Sequence, residues 1–254
     1  MNTYYRGQRA RAYNRRWHAY TEKTLAAVLA MIDMTLLTRP STQRKQPPRV
    51  LDVACGTGLL LQRLFERVPE MEAYGVDGSA DMLAQAQEVL KGQPRVQLDQ
   101  VDLNQGGLKQ LSYAPQTFDL ITCTNALHDM VDPVAFLAEL RALLVPEGQL
   151  VVEDFAPREP RVLWAAFEHL LRRIETTSVH ALTLDEAHTS CESAGLCVAA
   201  QKRVVIDWFW HGWVLLFPLG MLWNMGVFAY PPGTVHSVSL RHLLHPCRED
   251  GVLG

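Results

Sequence analysis

Residues Val50–Leu64 read VLDVACGTGLLLQRL: an apolar run with Asp52 inside it, a glycine pair at Gly56 and Gly58, and then a leucine-rich stretch. The apolar run predicts a buried strand from Val50 and the leucines predict a helix, so the glycines fall on the turn between them. In open parallel sheets ligands bind outside the carboxyl ends of the strands, and residues 55–58 stand at such an end. Gly56 and Gly58 let the backbone approach a ligand closely. A dinucleotide fingerprint would place a third glycine where Leu61 stands, for close packing of helix on strand. A nicotinamide or flavin pyrophosphate is therefore disfavoured, and a ligand with a nucleoside and no pyrophosphate remains.

Outward from this turn the chain alternates. AYGVDGS is a short strand ending in Asp77, 19 residues beyond Gly58. A carboxylate there accepts hydrogen bonds from ribose hydroxyls or, more simply, caps the next helix. Met82, Leu83, Ala86, Val89 and Leu90 give that helix its apolar stripe. RVQLDQVDL and FDLITCTNAL are two further strands; Asp102, ending the first, either accepts from an adenine amino group or begins a loop. Asp132 with Pro133 starts a helix whose Phe136, Leu137, Leu140 and Leu144 recur at helical spacing until Pro146 and Gly148 stop it, and QLVVEDF is the fifth strand. Upstream, Leu25, Val28, Leu29, Ile32 and Leu36 lie on one face of a helix that precedes the polar linker TRPSTQRKQPP. Downstream, Val162, Leu163, Ala166, Phe167, Leu170 and Ile174 form the stripe of a long amphipathic helix. Thr183 with Glu186 is a capping box whose helix ends at Gly195, and LCVAAQKRVVIDWFW with GWVLLF forms a terminal hairpin on the sheet edge. Strands alternating with helices predict a mostly parallel sheet with helices on both faces.

Composition sets the bounds. A chain of 254 residues with net charge -3 and 48% hydrophobic residues suits one large globular domain with embellishments. It offers no general basic field for nucleic acid, although Arg6, Arg9, Arg11, Arg15 and Arg16 form a solvated or substrate-facing arm. Five cysteines without a CxxC pair indicate neither a disulfide framework nor a zinc site, and His236, His242, His245 and Cys247 match no familiar metal spacing. Reduced thiols and a polar amino terminus point to the cytoplasm. From Trp208 to Leu240 there is no Asp, Glu, Lys or Arg, but His211, Gly212, Pro218, Gly220, Asn224 and Gly226 punctuate the stretch as strands and turns do. Its tryptophans suit peripheral membrane contact through residues 208–230. Residues 219–230 are expected to cover a protein or membrane face and 231–254 to pack poorly.

The segments VLDVACGTG, GVDGSADMLAQA, VDL, FDLITCTNALHDMVDP and LAELRALLVPEGQLVVEDF occur in the order expected of class I S-adenosylmethionine-dependent methyltransferases. Residues 50–155 resemble in particular the small-molecule group that includes the ubiquinone/menaquinone methyltransferases. The resemblance implies a Rossmann-like, doubly wound α/β fold with a C-terminal antiparallel hairpin. It divides the chain into an N-terminal helical lid and linker over 1–48, a methyltransferase domain over 49–217 and an extension over 218–254. It implies S-adenosyl-L-methionine as cofactor, with Asp52, Ala54, Cys55, Gly56 and Gly58 wrapping its methionine part. Asp77 holds the ribose, Gly78 and Met82 are further cofactor contacts, Asp102 and Leu103 flank the adenine, and Asn125 with Leu127 lines the cleft after the fourth strand. AYNRRWHAYTEKTL resembles the helical lid of the same group, which makes Tyr13, Trp17 and Tyr20 candidates for closing over cofactor or acceptor.

The implied reaction is in-line displacement at the methyl of a sulfonium, for which a protein chiefly aligns the acceptor and excludes water. His128 is the candidate general base for an oxygen acceptor; a histidine just past a strand is equally suited to a backbone hydrogen bond. Trp164, Phe167, Trp208, Phe209, Trp210 and Trp213 favour an apolar or aromatic small-molecule acceptor and leave open whether oxygen, nitrogen, carbon or sulfur is methylated. An NAD(P)-dependent Rossmann oxidoreductase would share Gly56, Gly58 and Asp77 but pack a small residue at position 61. A catalytically silent cofactor-binding protein would carry the same residues.

Overall fold

Seven strands lie side by side in the order β3-β2-β1-β4-β5-β7-β6. They are β1 (Arg49–Val53), β2 (Glu72–Asp77), β3 (Val96–Gln100), β4 (Phe118–Thr124), β5 (Leu144–Phe155), β6 (Ala200–Val205) and β7 (His211–Pro218). The helices are α1 (Gln8–Arg16), α2 (His18–Met31), α3 (Met34–Leu37), α4 (Leu59–Phe65), α5 (Ala80–Val89), α6 (Pro133–Leu143), α7 (Arg161–Glu175) and α8 (Leu184–Ser193). This computed structural model describes residues 5–39, 46–158, 160–175, 180–207 and 210–218. They fall within one compact unit, Met1–Gly220, and Met221–Gly254 is a second. The expectations for residues 219–254, for Trp208 and Phe209, and for the tail histidines lie outside the described residues.

The first five strands pair in parallel and β7 runs antiparallel to both β5 and β6, so the expected hairpin is present at the sheet edge. The strand order reverses between β1 and β4, which opens a crevice at their carboxyl ends. One face of the sheet buries Leu25, Val28, Ile32 and Leu37 from α2, α3 and the link between them, together with Leu60, Leu61 and Leu64 of α4. The other buries Phe136, Leu137 and Leu140 of α6 with Ala187 and Cys191 of α8. The amino-terminal helices are thus a layer of the same core. Among the described residues no helix is long and apolar enough to cross a membrane, and His211–Pro218 is strand.

Local chemistry accounts for the helix boundaries. Asp132 accepts from the Ala135 amide at 2.9 Å with Pro133 in the first turn of α6, and Thr183 and Glu186 complete a reciprocal capping box on α8. The first predicted helix breaks after Met31. There the fully buried Gln149 of β5 accepts from the Asp33 amide and donates to the Asp33 carbonyl, both at 2.9 Å, replacing the helical bonds lost at the break. Leu37, rather than the expected Leu36, fills the core.

Two further expectations are corrected. On α7 Val162, Leu163 and Leu170 face outward, exposed at 79%, 69% and 54%, while Trp164 and Glu168 are buried. The Trp164 indole and the Ala181 amide both donate to Glu168 Oε1, at 2.8 and 3.0 Å, and the Trp164 ring packs on Phe155 and Phe167. A large ring with a satisfied polar handle takes the inner face from the smaller aliphatics. Trp213 belongs to the core, donating to the Leu182 carbonyl at 2.9 Å. Cys55, Cys123 and Cys191 are free and buried.

Gly58 caps α4 at φ 75°, and a Cβ there would stand 3.1 Å from both Ala86 Cβ and Leu90 Cδ1 of the neighbouring helix region. Gly92 shares the positive φ, with open space around it. In urea denaturation Gly58→Ala is expected to lose about 2 to 3 kcal/mol from backbone strain and overpacking together. Gly92→Ala should lose about 1 kcal/mol from strain alone. Equal losses would show that α4 and α5 do not need this close approach.

Candidate active site

A cavity of about 350 Å³ lies at the crevice between β1 and β4, within the range of roughly 300–1,000 Å³ usual for small-molecule sites. Its floor is the turn after β1, where Ala54 and Gly56 hold left-handed backbone at φ 58° and 53°. Glycine adopts this freely and alanine only under strain, so the turn is held by what surrounds it. The holding group is Asp77: one carboxylate oxygen accepts from the Gly56 amide at 2.9 Å and the other from the Ser79 amide at 2.8 Å. The Cys55 amide donates to the Val76 carbonyl at 2.9 Å, which ties the same turn to β2. Asp77 itself lines the cavity, and each of its oxygens has acceptor capacity beyond the amide bond it already takes.

Asp52 lies deeper, accepting from the Thr122 hydroxyl at 2.7 Å. Burial, opposed by that hydrogen bond and reinforced by Asp77, pushes its carboxyl up to about 7. Burial also raises Asp77, against the pull of the Ser79 and Gly56 amides. The Cys55 thiol is raised well above its ordinary range by burial and by both carboxylates, which keeps it protonated and inert. The cavity floor is thus carboxyl-rich, suited to hydroxyl donors and to a cationic group.

The roof comes from the amino-terminal helices. Ser79 donates to the Tyr5 carbonyl at 2.5 Å, the Gly7 amide to Asp81 at 2.9 Å, and Thr57 to Asn14 at 2.6 Å, so α1 is fastened to the loops after β2 and β1. The Tyr20 hydroxyl donates to Asn125 Oδ1 at the end of β4. Beyond Tyr20 six rings converge from four regions: Trp17 and Tyr20, Phe155 at the end of β5, Trp164 and Phe167 of α7, and Trp210 before β7. Trp210 lies 5.7 to 6.2 Å from each of the other five. His128 packs on Phe155 with centroids 4.5 Å apart. Its Nδ1 meets Asp154 Oδ1 at 2.8 Å, its amide donates to Asp154 Oδ2 at 2.9 Å, and its Nε2 lies 3.7 Å from Asp129 Oδ2.

Asp52, Ala54, Cys55, Gly56, Asp77, Gly78, Met82, Asp102, Leu103, Asn125 and Tyr13 all line the cavity. Asp102 also takes the loop role, accepting from the Asn104 amide at 3.1 Å. Gly58 does not line it and serves the α4–α5 contact, and Leu127 is fully buried in the core because the 3-10 turn Leu127–Asp129 points it inward. Trp17, Tyr20 and His128 stand outside the lining, in or beside the ring cluster. Sequence reasoning missed Tyr5, Ser79 and Thr24. Ser79 had a signal, as a serine N-cap before ADML, whereas Tyr5 contacts a loop 74 residues away and had none.

The sheet order and the placement of these residues define the class I S-adenosylmethionine-dependent methyltransferase fold. The methyltransferase domain family matches residues 45–205, and the chain belongs to that family. It is 35% identical over 132 residues to a demethylmenaquinone methyltransferase of Deinococcus radiodurans, covering 50% of this chain and 53% of that protein. It is 32% identical over 124 residues to a malonyl-[acyl-carrier protein] O-methyltransferase of Halalkalibacterium halodurans, covering 48% and 45%. The chain thus spans about half the length of these curated relatives. A SAM-dependent methyltransferase from Aquifex aeolicus superposes with TM-score 0.53 at 20% identity, over 77% of this chain and 98% of that one, a likeness of fold.

A carboxyl raised on folding favours the protonated fold, so the Asp52 contribution to stability is fully present below its ordinary value near 4 and is lost as pH rises to about 7. Asp52→Asn keeps the acceptor for Thr122 and does not titrate. Its melting temperature should gain on the wild type progressively between pH 4 and 7 and hold a constant lead above pH 8. A pH-independent difference would place Asp52 outside this titration.

Proposed function

We propose that this chain is an S-adenosylmethionine-dependent methyltransferase acting on a small apolar or aromatic acceptor. The observation that carries the reading is Asp77, which lines the cavity at the switch point of the sheet while each of its carboxylate oxygens anchors a loop amide. Together with the carboxyl-rich floor, the left-handed turn at Gly56 and the cavity volume, it fits a nucleoside cofactor with a cationic amino acid arm. Asp77 holds the ribose hydroxyls, Gly78 and Met82 lie beside it, and Asp102 with Leu103 flanks the adenine. Asp52, Ala54, Cys55 and Gly56 surround the methionine part. When bound, S-adenosylmethionine supplies a methyl group already activated by a sulfonium leaving group.

What remains for the chain is alignment and exclusion of water. Tyr13 and the helices α1 and α2 cover the cavity, and the ring cluster around Trp210 favours an apolar or aromatic acceptor beside Asn125. For an acceptor hydroxyl held among the rings beside the cavity, His128 is the candidate base, its ring oriented by Asp154 through Nδ1. The names of the menaquinone relatives agree with an aromatic acceptor. An oxidoreductase reading is disfavoured by Leu61, which is fully buried where a dinucleotide site packs a small residue.

Calorimetric titration of the whole chain with S-adenosylmethionine, S-adenosylhomocysteine and NADH tests the proposal. Saturable binding of the first two and none of NADH is expected. Asp77→Ala should weaken binding by about 1.5 to 3 kcal/mol, the loss of charge-assisted hydrogen bonds. Binding of NADH alone, or unchanged affinity in a folded Asp77→Ala variant, would overturn it.

A further inference from the structure

Among the described residues Glu153 is a fully buried carboxyl for which neither a cofactor nor a base role accounts. It sits near the end of β5 with no exposed surface, and its Oε2 accepts from Asn125 Nδ2 at 2.9 Å. Its backbone carbonyl accepts from the Asn125 amide at 2.9 Å, so both the main chain and the side chain of Asn125 are set by this one residue. Asn125 needs such support, since it holds left-handed backbone at φ 51° at the cavity wall. With Nδ2 committed to Glu153, the amide can turn only its Oδ1 toward α2, and there it accepts the Tyr20 hydroxyl. Glu153 Oε1 has no hydrogen-bond partner among the described residues. Burial and the adjacent Asp154 push this carboxyl well above its ordinary range, against a smaller opposing pull from His128, which favours the neutral acid. Burial does the same for the Tyr20 phenol, with Glu153 and Asp154 adding to it, so Tyr20 stays a donor.

We propose that Glu153 is a positioning residue which, by orienting the Asn125 amide, latches Tyr20 and so fixes the amino-terminal helices over the cavity. An asparagine without Glu153 is free to flip, and a flipped amide presents Nδ2 to the Tyr20 hydroxyl, which can then only accept from it and leaves its own hydrogen without the Oδ1 acceptor. Glutamine at 153 would preserve the latch, because its side-chain carbonyl accepts from Asn125 Nδ2 as Glu153 Oε2 does. Leucine would abolish it at nearly constant volume. The proposal rests on the methyltransferase reading only for the identity of what the roof covers; the latch itself is a property of the ligand-free chain.

Amide hydrogen exchange of the full chain, followed by mass spectrometry with and without S-adenosylhomocysteine, tests it. In the ligand-free protein Glu153→Leu and Tyr20→Phe should each speed exchange of peptides within residues 18–31 about tenfold, the size expected for one lost hydrogen bond of ordinary strength. The double variant should be no faster than either single variant, and Glu153→Gln should match the wild type. Peptides of β1 should be unchanged in all four. Glu153→Ala takes the place of the leucine variant should that one fail to fold. Wild-type exchange in the leucine or alanine variant, additive effects in the double variant, or loosening by glutamine equal to that of Tyr20→Phe would overturn the latch. Failure of S-adenosylhomocysteine to protect residues 54–58 in the wild type would count against the cofactor reading and leave the latch result standing.

Discussion

The arrangement of the cleft depends on one carboxylate. Asp77 bridges the turn after β1 and the turn after β2 through the Gly56 and Ser79 amides, and such donors compensate a partly buried carboxylate for its lost hydration. Ser79, placed by that bridge, also accepts from the Met82 amide at 3.3 Å to start α5 and donates to the Tyr5 carbonyl of the roof. The glycine turn, the helix beside it and the amino-terminal cover are therefore all positioned relative to the same group. A ligand that engages Asp77 meets a site whose floor and roof are already fixed, which lowers the entropy of ordering it.

The packing beneath the turn explains why Leu61 fits where another ligand class would need a glycine. Gly75 of β2 lacks the Cβ that would stand 3.3 Å from Leu61 Cδ1, 3.0 Å from Cys55 Sγ and 2.7 Å from Leu98 Cδ2. The room that a dinucleotide fold opens on the helix is here opened on the strand. The helix can then carry a bulky leucine into the core, adding buried apolar surface beneath the turn while leaving the cavity rim unchanged. Both readings of the Val50–Leu64 stretch follow from this pair: the turn cradles a ligand, and the helix behind it is built for packing.

The strands, most helices and the hairpin were legible because their determinants are local: Asp132 before Pro133, the Thr183 and Glu186 pair, and alternating apolar runs. The inner face of α7 was not, since it is settled by Phe155, Trp210 and the Ala181 amide, which are distant in sequence from Trp164 and Glu168. In the cleft, Asp52, Gly56 and Asp77 could be read from strand ends because residues there face the crevice by topology. Leu127 could not be placed in that way, because a 3-10 turn of three residues decides which of its side chains points inward. Gly58 has the composition of a cradle residue and the duty of a packing residue, a distinction visible only when Ala86 and Leu90 are seen against it. Tyr5 and the Asn125–Glu153 pairing join parts of the chain that no local pattern connects.

The central claim is that the crevice between β1 and β4 receives a nucleoside through Asp77. A crystal structure of the full chain grown with S-adenosylhomocysteine measures this directly. The account predicts both ribose hydroxyls within about 2.6 to 3.0 Å of the Asp77 oxygens, hydrogen-bond distances for hydroxyl on carboxylate. The adenine should lie beside Asp102 and Leu103. A nucleoside bound elsewhere on the chain, or lying in the cleft with its ribose turned away from Asp77, would contradict it.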